Sequence, residues 1–260
     1  MKSLRKYGEK PYSVAVLHGG PGAPGEVAPI AREIAKEVGI LEPFQSAPSI
    51  DGQVEELEVI LNKNGQPPFT LIGYSWGAWL ASIFAVRYPS LVKKLILVGS
   101  GPFEAKYAEE ITEKRLSRLS SEARARFDDL NRKLQQTDDD DQDDLLGQLG
   151  RLLSKADTFD PLPDNMSDVI EIQREVFQHV WPEAAQLRES GQLLEMTKEI
   201  KCPVVAIHGE YDPHPYQGVE KPLSRTIEKF RFLLLGSCGH TPWKEKMAVD
   251  KFYKLLKKEI

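Results

Sequence analysis

The stretch that decides the fold is "LIGYSWGAWLASIFAVRYP", Leu71 to Pro89. A strand-like apolar run ends in Gly73. Ser75 follows two residues later, then Gly77, and a helical pattern runs to Pro89. Gly73-Tyr74-Ser75-Trp76-Gly77 fits G-x-S-x-G between a strand and a helix. In that context a sharp turn lifts the serine above the carboxyl ends of the strands. The turn strains the serine backbone. The flanking positions must be glycine because strand and helix pack too closely there for a Cβ. The hydroxyl then stands at a helix N-terminus, where the dipole favours a developing negative charge.

Outward from this turn, apolar strands alternate with helices. Strands are predicted at Ser13–Leu17, Ile40–Phe44, Pro68–Tyr74, Lys93–Ser100, Pro203–Gly209 and Phe230–Gly236. Helices are predicted at about 26–38, 51–65 (Asp51 near the N-cap, Gly65 at the C-terminus), 76–88 and 242–258. Continuous apolar strands alternating with helices imply an α/β fold, a mostly parallel sheet of about six strands with helices on both faces. Between the fourth and fifth strands the alternation stops. Residues 103–200 are charged and helical, and Val169, Ile172, Val176, Phe177 and Val180 form one amphipathic stripe. The chain divides into a core of residues 1–102 and 201–260 and an inserted helical cap, 103–200. The acidic run "TDDDDQDD", Thr137 to Asp144, lacks the glycine and final glutamate of a calcium loop and reads as a solvated loop or helix start.

Bulk properties narrow the function. The chain has 260 residues, 41% hydrophobic and 28% charged, with a net charge of −5. That balance argues against nucleic-acid or anionic-membrane partners, which call for a basic face. No apolar run approaches the ~18 residues of a membrane span, and Val14–Leu17 is too short for a signal-peptide core. A cytoplasmic protein is expected. Cys202 and Cys238 are then core thiols of a reducing compartment. No metal cluster or phosphate loop is apparent, so neither metal nor cofactor is predicted, and the partner expected is a small-molecule substrate. Nothing in the sequence bears on oligomeric state.

A serine hydroxyl needs a general base within hydrogen-bond reach, and the base needs a carboxylate to hold its tautomer. Of the five histidines, His240 follows a late strand on the loop before the last helix. Asp212 follows the preceding strand, deeper in its loop than Glu210 and braced by Pro213. The order Ser75, Asp212, His240 is the one expected for this fold. Oxyanion donors are expected from the backbone N–H groups of Gly20, in "HGGPG" (His18–Gly22), and Trp76, the residue after the nucleophile. His18 is expected to brace that loop. The dinucleotide spacing G-x-G-x-x-G is absent from it. His208 reads as a core or supporting residue and His179 as surface or packing. Tyr74, His214, Phe177, Trp181 and Trp243 are candidate pocket residues, with Phe159 a further candidate for the wall. Cys238 reads as packing.

Taken together, these three elements resemble the α/β-hydrolase superfamily, and "HGGPG" combined with "SWG" resembles its proline iminopeptidase branch. The resemblance covers about residues 11–102 and 201–260. It implies a Ser-His-Asp triad, an acyl-enzyme and an oxyanion hole. Two departures stand out. The hairpin that usually opens the superfamily's sheet has no room in the dozen residues available. The cap shows no match to the carboxylate motif with which iminopeptidases hold a substrate amine, beyond Glu183 near Trp181. The leading expectation is a serine hydrolase acting on an ester or amide of a small acyl compound. The alternatives are an aminopeptidase of the iminopeptidase type and a non-catalytic small-molecule-binding protein on a hydrolase fold.

Overall fold

The computed structural model describes residues 3–136, 142–163 and 172–260. Seven strands form one sheet: β1 (Leu4–Tyr7), β2 (Tyr12–Leu17), β3 (Gly39–Pro43), β4 (Phe69–Tyr74), β5 (Val92–Val98), β6 (Val204–Gly209) and β7 (Phe230–Leu235). Their order is β1-β3-β2-β4-β5-β6-β7. All neighbours are parallel except β1, which pairs antiparallel with β3 from Leu4↔Pro43 to Tyr7↔Ile40.

The sheet thus has one strand more than the six predicted. "LRKY" escapes an apolar-run criterion because it lies on the outer edge, where charged side chains face water and discourage pairing with another chain. It forms no hairpin with β2. A lone antiparallel edge strand occupies the place of the expected missing hairpin.

Helices α1 (Ala28–Ile34), α2 (Ile50–Asn64) and α3 (Trp76–Arg87) connect the first strands. Five more, α4 (Ile111–Ser117), α5 (Ser121–Gln136), α6 (Gln142–Asp157), α7 (Arg174–Glu189) and α8 (Gln192–Met196), lie between β5 and β6; α9 (Gln217–Thr226) and α10 (Val249–Glu259) complete the chain. The period-2 pleat sorts each strand's side chains onto two cores. Ala15, Leu17, Leu71, Leu95 and Leu97 meet α2 and α3 on one face. Val14, Val16, Ile72, Ile96 and Val98 meet α1 and α10 on the other. Burial on both faces is why these strands read as unbroken apolar runs.

Several predicted boundaries move. α1 begins at Ala28, two residues after Glu26, with Pro29 in its first turn, where a missing N–H costs nothing. Ser49, and not Asp51, caps α2 by accepting the Gly52 N–H at 3.1 Å; Asp51 sits in the first turn. The last helix is split. Pro242–Lys244 form a single 3-10 turn, Glu245 is extended and bridges to Pro161, and α10 starts only at Val249. The amphipathic stripe is shorter than predicted, because α7 starts at Arg174 and Ile172 lies outside it, exposed. Val169 and Thr137–Asp141 of the acidic run lie outside the described residues; Asp143 and Asp144 occupy the first turn of α6.

Candidate active site

Ser75 is the N-cap of α3 and adopts φ +51°, a left-handed value that costs a non-glycine residue about 1–3 kcal/mol. Its N–H donates to the Val98 carbonyl at 3.0 Å and its carbonyl accepts the Ala78 N–H at 3.0 Å. The two glycines are compelled by contact. A Cβ at Gly73 would stand 2.2 Å from the Gly77 carbonyl oxygen, and one at Gly77 would stand 2.5 Å from that of Leu17.

β6 and β7 bring two loops to the same rim of the sheet. His240 Nε2 lies 3.2 Å from Ser75 Oγ, and His240 Nδ1 lies 2.7 Å from Asp212 Oδ2. A carboxylate only accepts, so Nδ1 carries the hydrogen and Nε2 is left bare towards the hydroxyl. Asp212 is enclosed by imidazoles. Its Oδ1 accepts the backbone N–H of His214 at 2.9 Å and the ring Nδ1–H of His214 at 2.8 Å. The Nε2–H of His208 stands 3.1 Å from Oδ2 and 3.0 Å from the His214 carbonyl. His214 also stacks on His240 at 4.4 Å.

The electrostatics follow from burial and this bonding. Burial opposes the Asp212 charge, but the surrounding histidines outweigh it and hold the carboxyl well below its usual range. Burial likewise opposes protonation of His240, yet the Asp212 charge and hydrogen bond leave its pKa raised above 6.5. Burial drives His214 down to about 4 despite Asp212. A hydroxyl, an imidazole and a carboxylate in line can relay a proton off oxygen while the carboxylate stabilises the imidazolium.

The HGGPG loop lies against the start of α3, where a Cβ at Gly77 would stand 2.6 Å from the His18 carbonyl oxygen. His18 is buried, its Nδ1–H donating to the Gly19 carbonyl at 2.8 Å, and burial lowers its pKa to about 4. Gly20 has φ +104°, where a Cβ would stand 2.7 Å from the Gly22 nitrogen. Among the described residues, neither the Gly20 nor the Trp76 N–H is taken by an acceptor. Glu26, which no sequence motif singles out, has its carboxyl beside Gly19; desolvation raises its pKa, against the pull of His240 and Lys244.

A cavity of about 230 Å³ opens at Ser75 between the sheet rim and helices α4 and α7. Trp76, Trp79 and Trp181 supply apolar walls, and Ile111, Arg115 and His214 also line it. Of the five predicted pocket residues, His214 and Trp181 are in that lining and three are not. Tyr74 is buried beneath His240, ring centroids 5.0 Å apart, and Trp243 packs edge-on behind Tyr74 at 4.6 Å. Both follow their motifs too closely to escape the core. Phe177 stacks on the far side of Trp181 at 6.1 Å and reaches the cavity only through that ring. Phe159 is half exposed against Tyr211 and forms no wall. Glu183 accepts the Ile50 N–H at 2.9 Å, tying α7 to the start of α2.

The helical insertion also holds the His240 loop, which the sequence did not reveal. The Asp157 carbonyl accepts the His240 N–H at 2.8 Å, and the Asp157 carboxylate takes a bidentate pair from Arg115 at 2.7 Å on both oxygens. Glu245, fully buried, accepts the backbone N–H groups of Gly239, Phe159 and Asp160, each at 2.8 Å. The two cysteines are free, and burial pushes the Cys238 thiol far up. Asp212, His214 and His240 offer donor atoms within 4.8 Å of one another, enough to grip a metal ion; in the structure those atoms bond one another.

Residues 13–242 match the family described as the alpha/beta hydrolase fold. The chain belongs to the α/β-hydrolase fold family. Among solved structures it is similar to VinJ (16% identity, covering 98% of this chain and 93% of that one, TM-score 0.70). It is also similar to a monoacylglycerol lipase of Paleococcus ferrophilus (12%, 98% and 96%, 0.63) and to a proline iminopeptidase of Mycobacterium smegmatis (19%, 98% and 92%, 0.61). At these identities the likeness is one of fold. No helix among the described residues is long and apolar enough to cross a membrane.

Proposed function

We propose that this α/β-hydrolase fold protein is a serine hydrolase that cleaves an ester or amide of a small acyl compound. The observation that carries the reading is the row Ser75 Oγ, His240 Nε2/Nδ1, Asp212 Oδ2, joined at 3.2 and 2.7 Å. Ser75 Oγ attacks the substrate carbonyl carbon while His240 Nε2 takes the hydroxyl proton. Asp212 stabilises the resulting imidazolium. The negative charge that develops on the carbonyl oxygen meets the N–H groups of Gly20 and Trp76. His240 returns the proton to the leaving group, and the acyl-enzyme is then attacked by water that His240 deprotonates. The His208 and His214 donors keep Asp212 ionised and fixed. The helical insertion acts as a cap over the acyl site, and the domain division into 1–102 with 201–260 and 103–200 is part of this proposal.

The cavity is smaller than the roughly 300–1,000 Å³ common for drug-sized ligands, which favours a small acyl group. The charged side chains that line it are the guanidinium groups of Arg115 and Arg188. A substrate ammonium, as an aminopeptidase requires, would meet like charge there, so esterase or amidase chemistry is preferred over the iminopeptidase reading. A panel of chromogenic acyl and amino-acyl esters tests this, with Ser75→Ala as the blank. Ser75-dependent turnover of short acyl esters is expected. Turnover confined to esters with a free α-amine would reverse the preference. Tight small-molecule binding with no turnover of any ester would favour the non-catalytic alternative.

A further inference from the structure

The two arginines of the cavity differ in their bonding. Arg115 is neutralised by Asp157 through two hydrogen bonds of 2.7 Å. Arg188 comes from the last turn of α7 and reaches the same cavity. Its Nε–H is buried with no acceptor, and no carboxylate pairs with it among the described residues. Its guanidinium carbon stands 5.7 Å from the Trp79 ring centre, a cation–π contact that orients the group without neutralising it. A buried, unmatched donor costs about 1–3 kcal/mol, more when charged. Burial accordingly lowers the Arg188 pKa. Of the three indole N–H groups on the cavity walls two are occupied, Trp76 by Gln53 at 3.2 Å and Trp79 by the Gly101 carbonyl at 3.1 Å. The cavity thus sets three tryptophan rings, Ser75 and one cation without a carboxylate partner around a single space.

We propose that the acyl group processed at Ser75 carries a carboxylate at its far end, held by Arg188, so that the substrates are monoesters or monoamides of small dicarboxylic acids. This rests on the hydrolase reading above. The acyl part is the part that stays bound through both chemical steps, which suits the enclosed side of the site. The charge count favours a carboxylate: one free guanidinium matches one negative charge, whereas a phosphate brings nearly two. The planar guanidinium fork also matches a carboxylate bidentately.

The test uses mono-p-nitrophenyl esters of glutaric, adipic and pimelic acids. Each is compared with the same compound whose far carboxyl is capped as a primary amide. For the best chain length, kcat/KM is expected to favour the acid over the amide by about ten- to a hundredfold, mostly through KM, the worth of a charge-assisted hydrogen bond. Arg188→Met should bring the ratio to about one, and Arg188→Lys should recover part of it. A ratio near one in the unaltered protein, or one that Arg188→Met leaves intact, overturns the proposal while Ser75-dependent turnover leaves the hydrolase reading standing. The free diacids are also titrated into Ser75→Ala by calorimetry. Binding lost in Ser75→Ala/Arg188→Met supports the anion site even if no ester is turned over, in which case only the hydrolase reading falls. No diacid binding by Ser75→Ala removes the anion site.

Discussion

Ser75 holds a left-handed backbone conformation because everything around it is fixed. Gly73 and Gly77 are not spare flexibility; they are the only residues that fit between β4, α3 and the Leu17 carbonyl. Gly73→Ala or Gly77→Ala should destabilise the protein by about 3 kcal/mol through overpacking, read as a fall in Tm of about 6–12 °C. A fall of less than about 2 °C would mean the turn can open. On the proposed mechanism His240 must be neutral to accept a proton. Its pKa is raised, so the base is lost as pH falls through a value above 6.5. The acid limb of kcat/KM should therefore lie above the pH of an ordinary histidine. A limb well below 6.5 would contradict the Asp212–His240 coupling. These residues were readable from the sequence because each sits beside a strand end with a strong local pattern. Arg188, Glu245, Arg115 and Asp157 were not readable. Their partners lie 42 to 86 residues away in the chain for Arg115–Asp157 and Glu245–Phe159, and Arg188, which has no carboxylate partner among the described residues, meets only the Trp79 ring.

The His240 loop shows how one buried carboxylate can reshape secondary structure. "PWKEKMAVDKFYKLLKK" reads as one helix from propensity alone. Glu245 breaks it by turning back to accept three backbone N–H groups. Glu245→Gln keeps the shape but replaces one acceptor oxygen with a donor facing a donor. A loss of about 2–4 kcal/mol is expected, with a fall in kcat as the His240 loop loosens. Unchanged melting together with unchanged kcat would show that the loop is held elsewhere. The second link between insertion and core is aromatic. Trp181 stacks on Trp79 at 6.2 Å and on Phe177 at 6.1 Å. Trp181→Ala should cost about 2–3 kcal/mol and enlarge the cavity, moving the preferred acyl chain to greater length. An unchanged chain-length profile would separate Trp181 from specificity. The sequence marks the insertion as helical and leaves out how its helices attach, because attachment depends on a few side chains and not on a repeating pattern.

The whole sheet was recovered apart from one charged edge strand, since burial on both faces forces the apolar runs that a reader can count. The topology brings loops from β2, β4, β6 and β7 to one rim, and burial there has a thermodynamic cost in acid. His18 and His214 are lowered to about 4, so between pH 6.5 and 4 the unfolded chain binds two protons that the folded chain refuses. Glu26 is raised and returns part of this. Two groups that refuse protons outweigh one that gains, so stability falls on acidification, each unmatched proton counting about 1.4 kcal/mol per pH unit. His240 does not alter this window: its raised pKa adds stability only as pH falls towards 6.5, and that gain is complete below it. Urea titrations from pH 6.5 to 4.5 measure the slope directly, and stability that held level or rose would contradict the burial of these histidines.

The most direct measurement is of the nucleophile itself. The intact protein, Ser75→Ala and His240→Gln are each incubated with a fluorophosphonate and the adduct is located by peptide mass spectrometry. A single adduct on Ser75 is predicted, absent from Ser75→Ala and strongly slowed in His240→Gln. An unlabelled native protein, or labelling that persists in Ser75→Ala, would contradict the account.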